Sequence, residues 1–198
     1  MLILSKKLPE LLASKHLEFD NQDDAIPVKL FFQDEARFGR IDNISSCWVP
    51  KGCRAVVGSQ IIRQYTYLYG AFCPETGEQF SMVLPYANGD CMKVFMEEFS
   101  EEFSAYKVIM AMDKASWHSN CCNKFNNIVP LFQPAYSPEV NPAELIWKHV
   151  RESGGFKNKT FSSMAEVEEQ LVKAVNTCLT DKNTIKSITG FEWILKLI

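Results

Sequence analysis

The sequence predicts an α/β domain whose single mixed sheet starts as an antiparallel meander and continues as parallel strands, with helices on both faces. Three observations carry this. Three strand-like runs follow one another with turn-forming residues, and no helical pattern, between them. The next segment switches to helical spacing, and from there strands and helices alternate. With 198 residues, 46% apolar and 23% charged, the chain has the size and mix of one ordinary globular domain.

Taken in order, residues 1–26 read as an arm or linker. A short helix over 5–19 would use Leu8, Leu11, Leu12 and Leu17 as apolar anchors, and DNQDDAIP follows as a polar loop. VKLFF (28–32) is short and rich in β-formers, so it is expected to be a strand ending near Asp34. CWVPKGC carries a Pro and a Gly and reads as a loop. IIRQYTYLYGAF (61–72), the turn CPETGEQ and the returning run FSMVLP complete the meander. Met92, Phe95, Met96, Phe99, Phe103 and Tyr106 then recur at helical spacing and are read as a core stripe. KVIMAMD (107–113) is nearly all apolar, as in a strand buried on both faces. A short helix near 116–125, a strand in NIVPLFQP, a helix over 142–153 stopped by SGG, and a helix over 163–179 follow. The boundaries are thus a domain over 27–180 and a short helical tail over 181–198. This order of elements is that of a ribonuclease H-like fold.

Composition narrows the function. The net charge of −3 argues against a chain whose only task is to hold DNA by its phosphates. The charges are unevenly spread, however. Glu97, Glu98, Glu101 and Glu102 form an acidic run, while Lys148, His149, Arg151, Lys157 and Lys159 form a basic one, and Arg37, Arg40, Lys51, Arg54 and Arg63 a looser one. Solvated faces would explain each run equally well. Seven cysteines without rhythm or a CxxC pair suit a reduced cytosolic protein rather than a disulfide scaffold or zinc site. The apolar ends MLIL and FEWILKLI are too short for a signal peptide or a membrane span, so no membrane partner is expected.

Three carboxylates stand where chemistry is plausible. Alternation puts Val28, Leu30, Phe32 and Asp34 on one strand face, and Lys29, Phe31, Gln33 and Glu35 on the other. Asp34 therefore shares the cleaner apolar face, and Glu35 cannot serve the same site. Asp113 closes a buried strand at its carboxyl end, where open α/β sheets bind ligands. Glu144 lies in NPAE, which also fits a capping box with Asn141 as N-cap and Pro142 at the first helical position. A turn-forming Asp34 and a helix-capping Asp113 are likewise open at this point. If the three acids converge, their mutual repulsion calls for divalent cations, and all-oxygen ligands select hard ions such as Mg²⁺ or Mn²⁺. His118 follows Trp117 shortly after Asp113 and could face a phosphate or simply cap a helix.

Three blocks carry a family resemblance. FFQDEARFGR (31–40), VIMAMDKASWHSN (108–120) and LFQPAYSPEVNPAELIWKHVR (131–151) resemble, in order and spacing, the catalytic blocks of Tc/mariner superfamily transposases, especially their bacterial insertion-sequence branch. The third block is the most specific, and the likeness spans about residues 25–180. The resemblance implies that Asp34, Asp113 and Glu144 are the catalytic DDE acids and hold two Mg²⁺ ions, with Mn²⁺ as a substitute. It implies a DNA transposase domain that cuts transposon ends with water and joins the freed 3′-hydroxyl to target DNA, typically at a TA step. Tyr136, Ser137, Pro138, Asn141 and Pro142 would shape the loop presenting Glu144, and Trp147 would pack rather than react. Arg37, Arg40, His118, Lys148 and Arg151 are the expected DNA contacts. A homo-oligomer on DNA in the bacterial cytosol is implied, with the helix-turn-helix region that recognises transposon ends separate from this chain. The alternatives are a nuclease of the same fold that cuts without joining, and a catalytically silent remnant that binds DNA or protein.

Overall fold

A computed structural model describes residues 10, 14–15, 26–41, 44–115, 125–133 and 140–196. In chain order the elements are β1 (Val28–Ile41), β2 (Ile61–Phe72), β3 (Gln79–Leu84), α1 (Gly89–Glu102), β4 (Lys107–Met112), β5 (Ile128–Phe132), α2 (Ala143–Ser153), α3 (Met164–Cys178), α4 (Lys182–Thr189) and α5 (Glu192–Leu195). The sheet order is β3-β2-β1-β4-β5. β1 pairs antiparallel with β2 and parallel with β4, so the meander and the parallel half meet at β1. β3 and β5 are the edges, antiparallel to β2 and parallel to β4 respectively. This is the expected order of three antiparallel strands followed by parallel ones.

One expectation needs correction. β1 does not end near Asp34 but runs to Ile41, so Asp34 lies in mid-strand. The reason is its partner. The β2 run offers backbone groups all the way down, from Phe32 opposite Phe72 to Ile41 opposite Ile61, and no Pro interrupts ARFGRI. A register shift between Gly39 and Ile41 then ends the regular pairing. The expected helices near 5–19 and 116–125 lie almost wholly outside the described residues.

Each sheet face carries its own core. Phe31, Tyr69, Ala71, Val108, Met110 and Met112 meet Met92, Phe95, Met96 and Phe99 of α1. The Asn88 side chain starts that helix by accepting from the Cys91 amide at 2.9 Å, and Phe31 meets Phe99 edge-on at 5.1 Å. On the opposite face, Ala36, Phe38, Leu68 and Phe72 pack against Ile146, Trp147 and Val150 of α2 and Val167, Leu171 and Ala174 of α3. The carboxyl-terminal helices join this second face. Ile185 of α4 is buried with α2 and α3, and Ile194 of α5 with Leu30, Phe32 and Ile109. Alternation along β1 is therefore as expected, with Leu30, Phe32 and Asp34 on the α2 side. No helix among the described residues is long and apolar enough to cross a membrane.

Gln33 breaks the apolar pattern on the α1 side. It is fully buried, and both polar atoms of its amide lack a partner among the described residues. A buried amide without partners costs about 1–3 kcal/mol. Gln33→Met keeps the volume and removes that cost, so it should raise unfolding stability by about 1–2 kcal/mol in urea titrations. A lower midpoint would show that the amide is in fact bonded in solution.

Candidate active site

The site is built where β1, the end of β4 and the start of α2 meet. Asp34 is held from two directions. Behind it, the sheet gives a fixed backbone, with Asp34 opposite Gly70 of β2. In front, the Trp147 indole Nε1–H donates to Asp34 Oδ2 at 2.8 Å. Trp147 is 1% exposed and packs edge-on against Phe72 at 5.4 Å. Gly70 makes room for it, since a Cβ there would stand 2.6 Å from the indole ring. So Trp147 packs, as the sequence suggested, and it also orients a carboxylate. Spacing carried a signal for this, because Trp147 follows Glu144 by three residues and so shares its helix face.

Burial dominates the electrostatics of Asp34. Desolvation pushes its carboxyl from the usual 3.8 up to about 7, and the nearby charges of Glu144 and Glu35 push the same way. The indole hydrogen bond opposes this by favouring the ionised form. An acid poised in this way releases its proton readily once a positive charge arrives.

Glu144 opens α2 and is exposed. The capping box does not form. Pro142 is the N-cap and makes no side-chain cap bond, and the Glu144 carboxylate accepts no hydrogen bond among the described residues. Asn141 does a different job. Its Nδ2 donates to the Gln33 backbone oxygen at 3.0 Å, and its Oδ1 accepts from the Ala143 amide at 3.1 Å. This buried side chain therefore pins the entry to α2 beside Asp34, at the residue preceding it in β1. The Glu144 charge is thus not spent on the helix start, and both Asp34 and Arg151 feel it.

Asp113 approaches from β4. Phe32 pairs with Ala111, and Asp34 and Asp113 each follow two residues later, Asp113 just past the last residue of β4. Adjacent strands lie about 4.8 Å apart. Asp113 is exposed, and its Oδ1 accepts from the Ala115 amide at 2.9 Å. Among the described residues, no three His, Cys, Asp or Glu side chains are gathered closely enough to cage an ion. The three acids thus border one end of the sheet from three elements. Asp34 feels the charge of Glu144, and Asp113 Oδ1 accepts from the Ala115 amide in the loop after β4.

Positive groups flank the acids. Arg151, half-buried two turns beyond Glu144 on α2, feels both Glu144 and Asp34, although burial outweighs them and lowers its affinity for its proton. Arg37 is exposed on β1, and Lys148 is exposed on α2. Arg40 is committed elsewhere. Its Nε donates to the Phe161 oxygen at 3.0 Å and its guanidinium to Gln64 Oε1 at 2.9 Å. It thereby ties β1 to the segment before α3. His118, Tyr136, Ser137 and Pro138 lie outside the described residues.

A mixed sheet in this order, with helices on both faces and acids on β1, just after β4 and in the first turn of α2, has the architecture of a ribonuclease H-like fold. The sequence profile of the DDE superfamily endonucleases matches residues 29–168, and the chain belongs to that family. It is 31% identical over 132 residues to the uncharacterized protein y4pE/y4sA of Sinorhizobium fredii (strain NBRC 101917 / NGR234), a match covering 65% of this chain and 96% of that one. Among solved structures it is similar to the Mos1 transposase paired-end complex with left transposon end, at a TM-score of 0.63 and 17% identity, over 94% of this chain and 57% of that chain. It is also similar to the Mos1 mariner paired end complex with Mn, at a TM-score of 0.62 and 15% identity, over the same shares. The chain therefore spans less than two thirds of the Mos1 chains it matches.

Proposed function

We propose that the chain is the catalytic domain of a DNA transposase, cutting DNA at the ends of a mobile element and joining the freed strand to a target. The observation that carries this reading is the pairing of a half-buried, indole-oriented Asp34 with a Glu144 whose carboxylate accepts no hydrogen bond among the described residues. A helix-capping Glu144 would have been spent on the backbone. This one is held beside another acid at electrostatic cost, which a catalytic role explains. Membership in the family and the fold shared with the Mos1 transposase point the same way.

The residues would act as follows. Asp34 and Glu144 repel each other, and with Asp113 turned towards them the three would present an oxygen-only donor set that suits hard divalent ions. When bound, a pair of Mg²⁺ or Mn²⁺ ions would activate the attacking oxygen and stabilise the leaving one. Asp34 Oδ2 accepts from the Trp147 indole, which would hold the carboxylate in place for an ion. Asn141 and Pro142 fix where Glu144 enters. Arg37, Lys148 and Arg151 would hold phosphates. In the first step water attacks a phosphodiester, forming a P–O bond and breaking the bond to the 3′ oxygen, which leaves as a hydroxyl. In the second, that hydroxyl attacks a target phosphodiester, and a 3′ oxygen of the target leaves. The transposon ends and the target, at a TA step in this reading, would be held by an oligomer of the whole transposase.

Products test the proposal. The chain, incubated with Mg²⁺ or Mn²⁺ and DNA carrying candidate ends plus a target plasmid, should yield strands covalently joined to the target, and EDTA should abolish them. Cut but never joined DNA would favour a nuclease of the same fold. No cut DNA with either ion would sink the enzymatic reading.

A further inference from the structure

Arg151 is held in a way that bears on the acids. Its guanidinium lies over the Phe38 ring at 5.0 Å, and Nη2 donates to the Arg37 backbone oxygen at 3.4 Å. Ring and strand thus fix a half-buried charge against β1 instead of leaving it to swing in solvent. Among the described residues it forms no ion pair. Arg151 follows Glu144 by seven residues, so the two share one face of α2, with Trp147 between them donating to Asp34. Two routes measure the gap to the acids. Along α2 it is seven residues at about 1.5 Å each. Along β1, from Asp34 to the Arg37 oxygen, it is three residues at about 3.3 Å each. Both give about 10 Å, and long helical side chains lean toward the helix start, which brings the charge nearer to Glu144. The guanidinium and the two carboxylates feel one another accordingly.

A cation fixed at that distance is too far away to replace an ion between the acids and too near for such an ion to ignore. It has two opposite effects. It attracts a DNA phosphate. It also repels any divalent ion entering the site, because that ion brings two positive charges. At about 10 Å this repulsion changes ion affinity about fourfold in a water-like dielectric and more than about a hundredfold in that of a protein surface. A half-buried side chain falls between the two, at about tenfold. A phosphate seated on Arg151 cancels its charge and, with it, the repulsion.

We propose that Arg151 couples the two ligands of the site: it holds divalent ions off the DNA-free protein, and a bound phosphate lifts this restraint, so that ions load tightly only with DNA in place. The proposal rests on the metal-dependent reading above. It assigns Arg151 a sign that packing alone would not produce, since removing the side chain improves ion binding.

Mn²⁺ titrations of the whole chain without DNA, read by electron paramagnetic resonance of the free ion, test the first half. Arg151→Gln should bind Mn²⁺ about tenfold more tightly than wild type, and Arg151→Lys, which keeps the charge, should stay within about threefold of it. The gap should close at about 1 M salt, where screening acts within about 3 Å. Arg63→Gln removes an exposed charge elsewhere on β2 and should change nothing, while Asp34→Asn should weaken binding and so locate the ion. An unfolded variant would lose Mn²⁺, so damage cannot mimic the gain. If Arg151→Gln fails to fold by circular dichroism, Arg151→Met, whose stem still covers Phe38, replaces it. Fluorescence anisotropy of a labelled duplex, in EDTA and in Ca²⁺, tests the second half. Coupling between two ligands is reciprocal, so Ca²⁺ should tighten DNA binding by a factor about tenfold larger in wild type than in Arg151→Gln. Unchanged or weaker Mn²⁺ binding by the variant, a gain that persists at high salt, or an equal effect of Ca²⁺ on both proteins would overturn the coupling. Equal Mn²⁺ binding together with intact strand transfer removes the coupling alone. No Mn²⁺ binding by any form removes the metal-dependent reading with it.

Discussion

Asp34→Asn should lower divalent-ion-dependent DNA cleavage by at least about a thousandfold, because several kcal/mol of transition-state stabilisation depend on its charge. The substitution is a clean one. An Asn oxygen can still accept from Trp147, so the packing of α2 on the sheet survives while the charge disappears. Stability should move in the opposite direction from activity. Without divalent ions, burial holds the Asp34 carboxyl at about 7 against a usual 3.8. Between about pH 4 and pH 7 the folded wild type therefore keeps a proton that the unfolded chain has released. This contribution is complete below the lower value and is lost as pH rises through the upper one. Wild-type melting temperature should fall across that window, and Asp34→Asn should remove this part of the fall. Above pH 7 the variant should melt higher than the wild type. Plasmid nicking and thermal melts check both halves. Cleavage within tenfold of wild type would remove Asp34 from the chemistry.

Trp147→Ala should destabilise the fold by about 3–5 kcal/mol, the range for deleting a buried aromatic side chain. Among the described residues, Trp147 is the largest of the fully buried side chains, and it links α2 to Phe72 in β2. The loss includes a second part, since Asp34 would keep its burial without its donor. Trp147→Phe separates the two roles. It retains most of the packing and should cost far less stability, but it removes the N–H. That bond is what counters desolvation at Asp34. The acid limb of the cleavage–pH profile should accordingly move to higher pH, and more Mg²⁺ should be needed for half-maximal rate near neutrality. Urea melts and pH–rate profiles of the two variants decide this. If Trp147→Phe shifts neither the profile nor the Mg²⁺ requirement, the indole is a packing group alone.

Much of the site could be read before any coordinates. Asp34 and Glu35 were separable by strand alternation, and the α2-side placement of Asp34 follows from Leu30 and Phe32 pointing into the same core. The apolar run before Asp113 placed it just past a buried strand, where β4 ends. Other features could not be read locally. VKLFF looked like a short strand because β1's length depends on β2 lying alongside as far as Ile61. Glu144 fitted a capping box because its alternative depends on Asn141 reaching a backbone oxygen at Gln33, distant in sequence. Arg37 and Arg40 looked alike as basic residues. Their environments divide them, since Arg40 is consumed by Phe161 and Gln64 while Arg37 is exposed over the Tyr65 ring.

The sequence by itself determined the periodicities, and with them the order of strands and helices and the two core faces of β1. These follow from local rules, because a side chain's direction along a strand or helix depends only on its neighbours in the chain. Tertiary structure alone decided which polar groups meet: indole with Asp34, amide with Gln33, the Arg151 guanidinium with the Arg37 backbone. Such pairings depend on segments far apart in sequence being brought within about 3 Å, and that distance is set by the packing of the whole core.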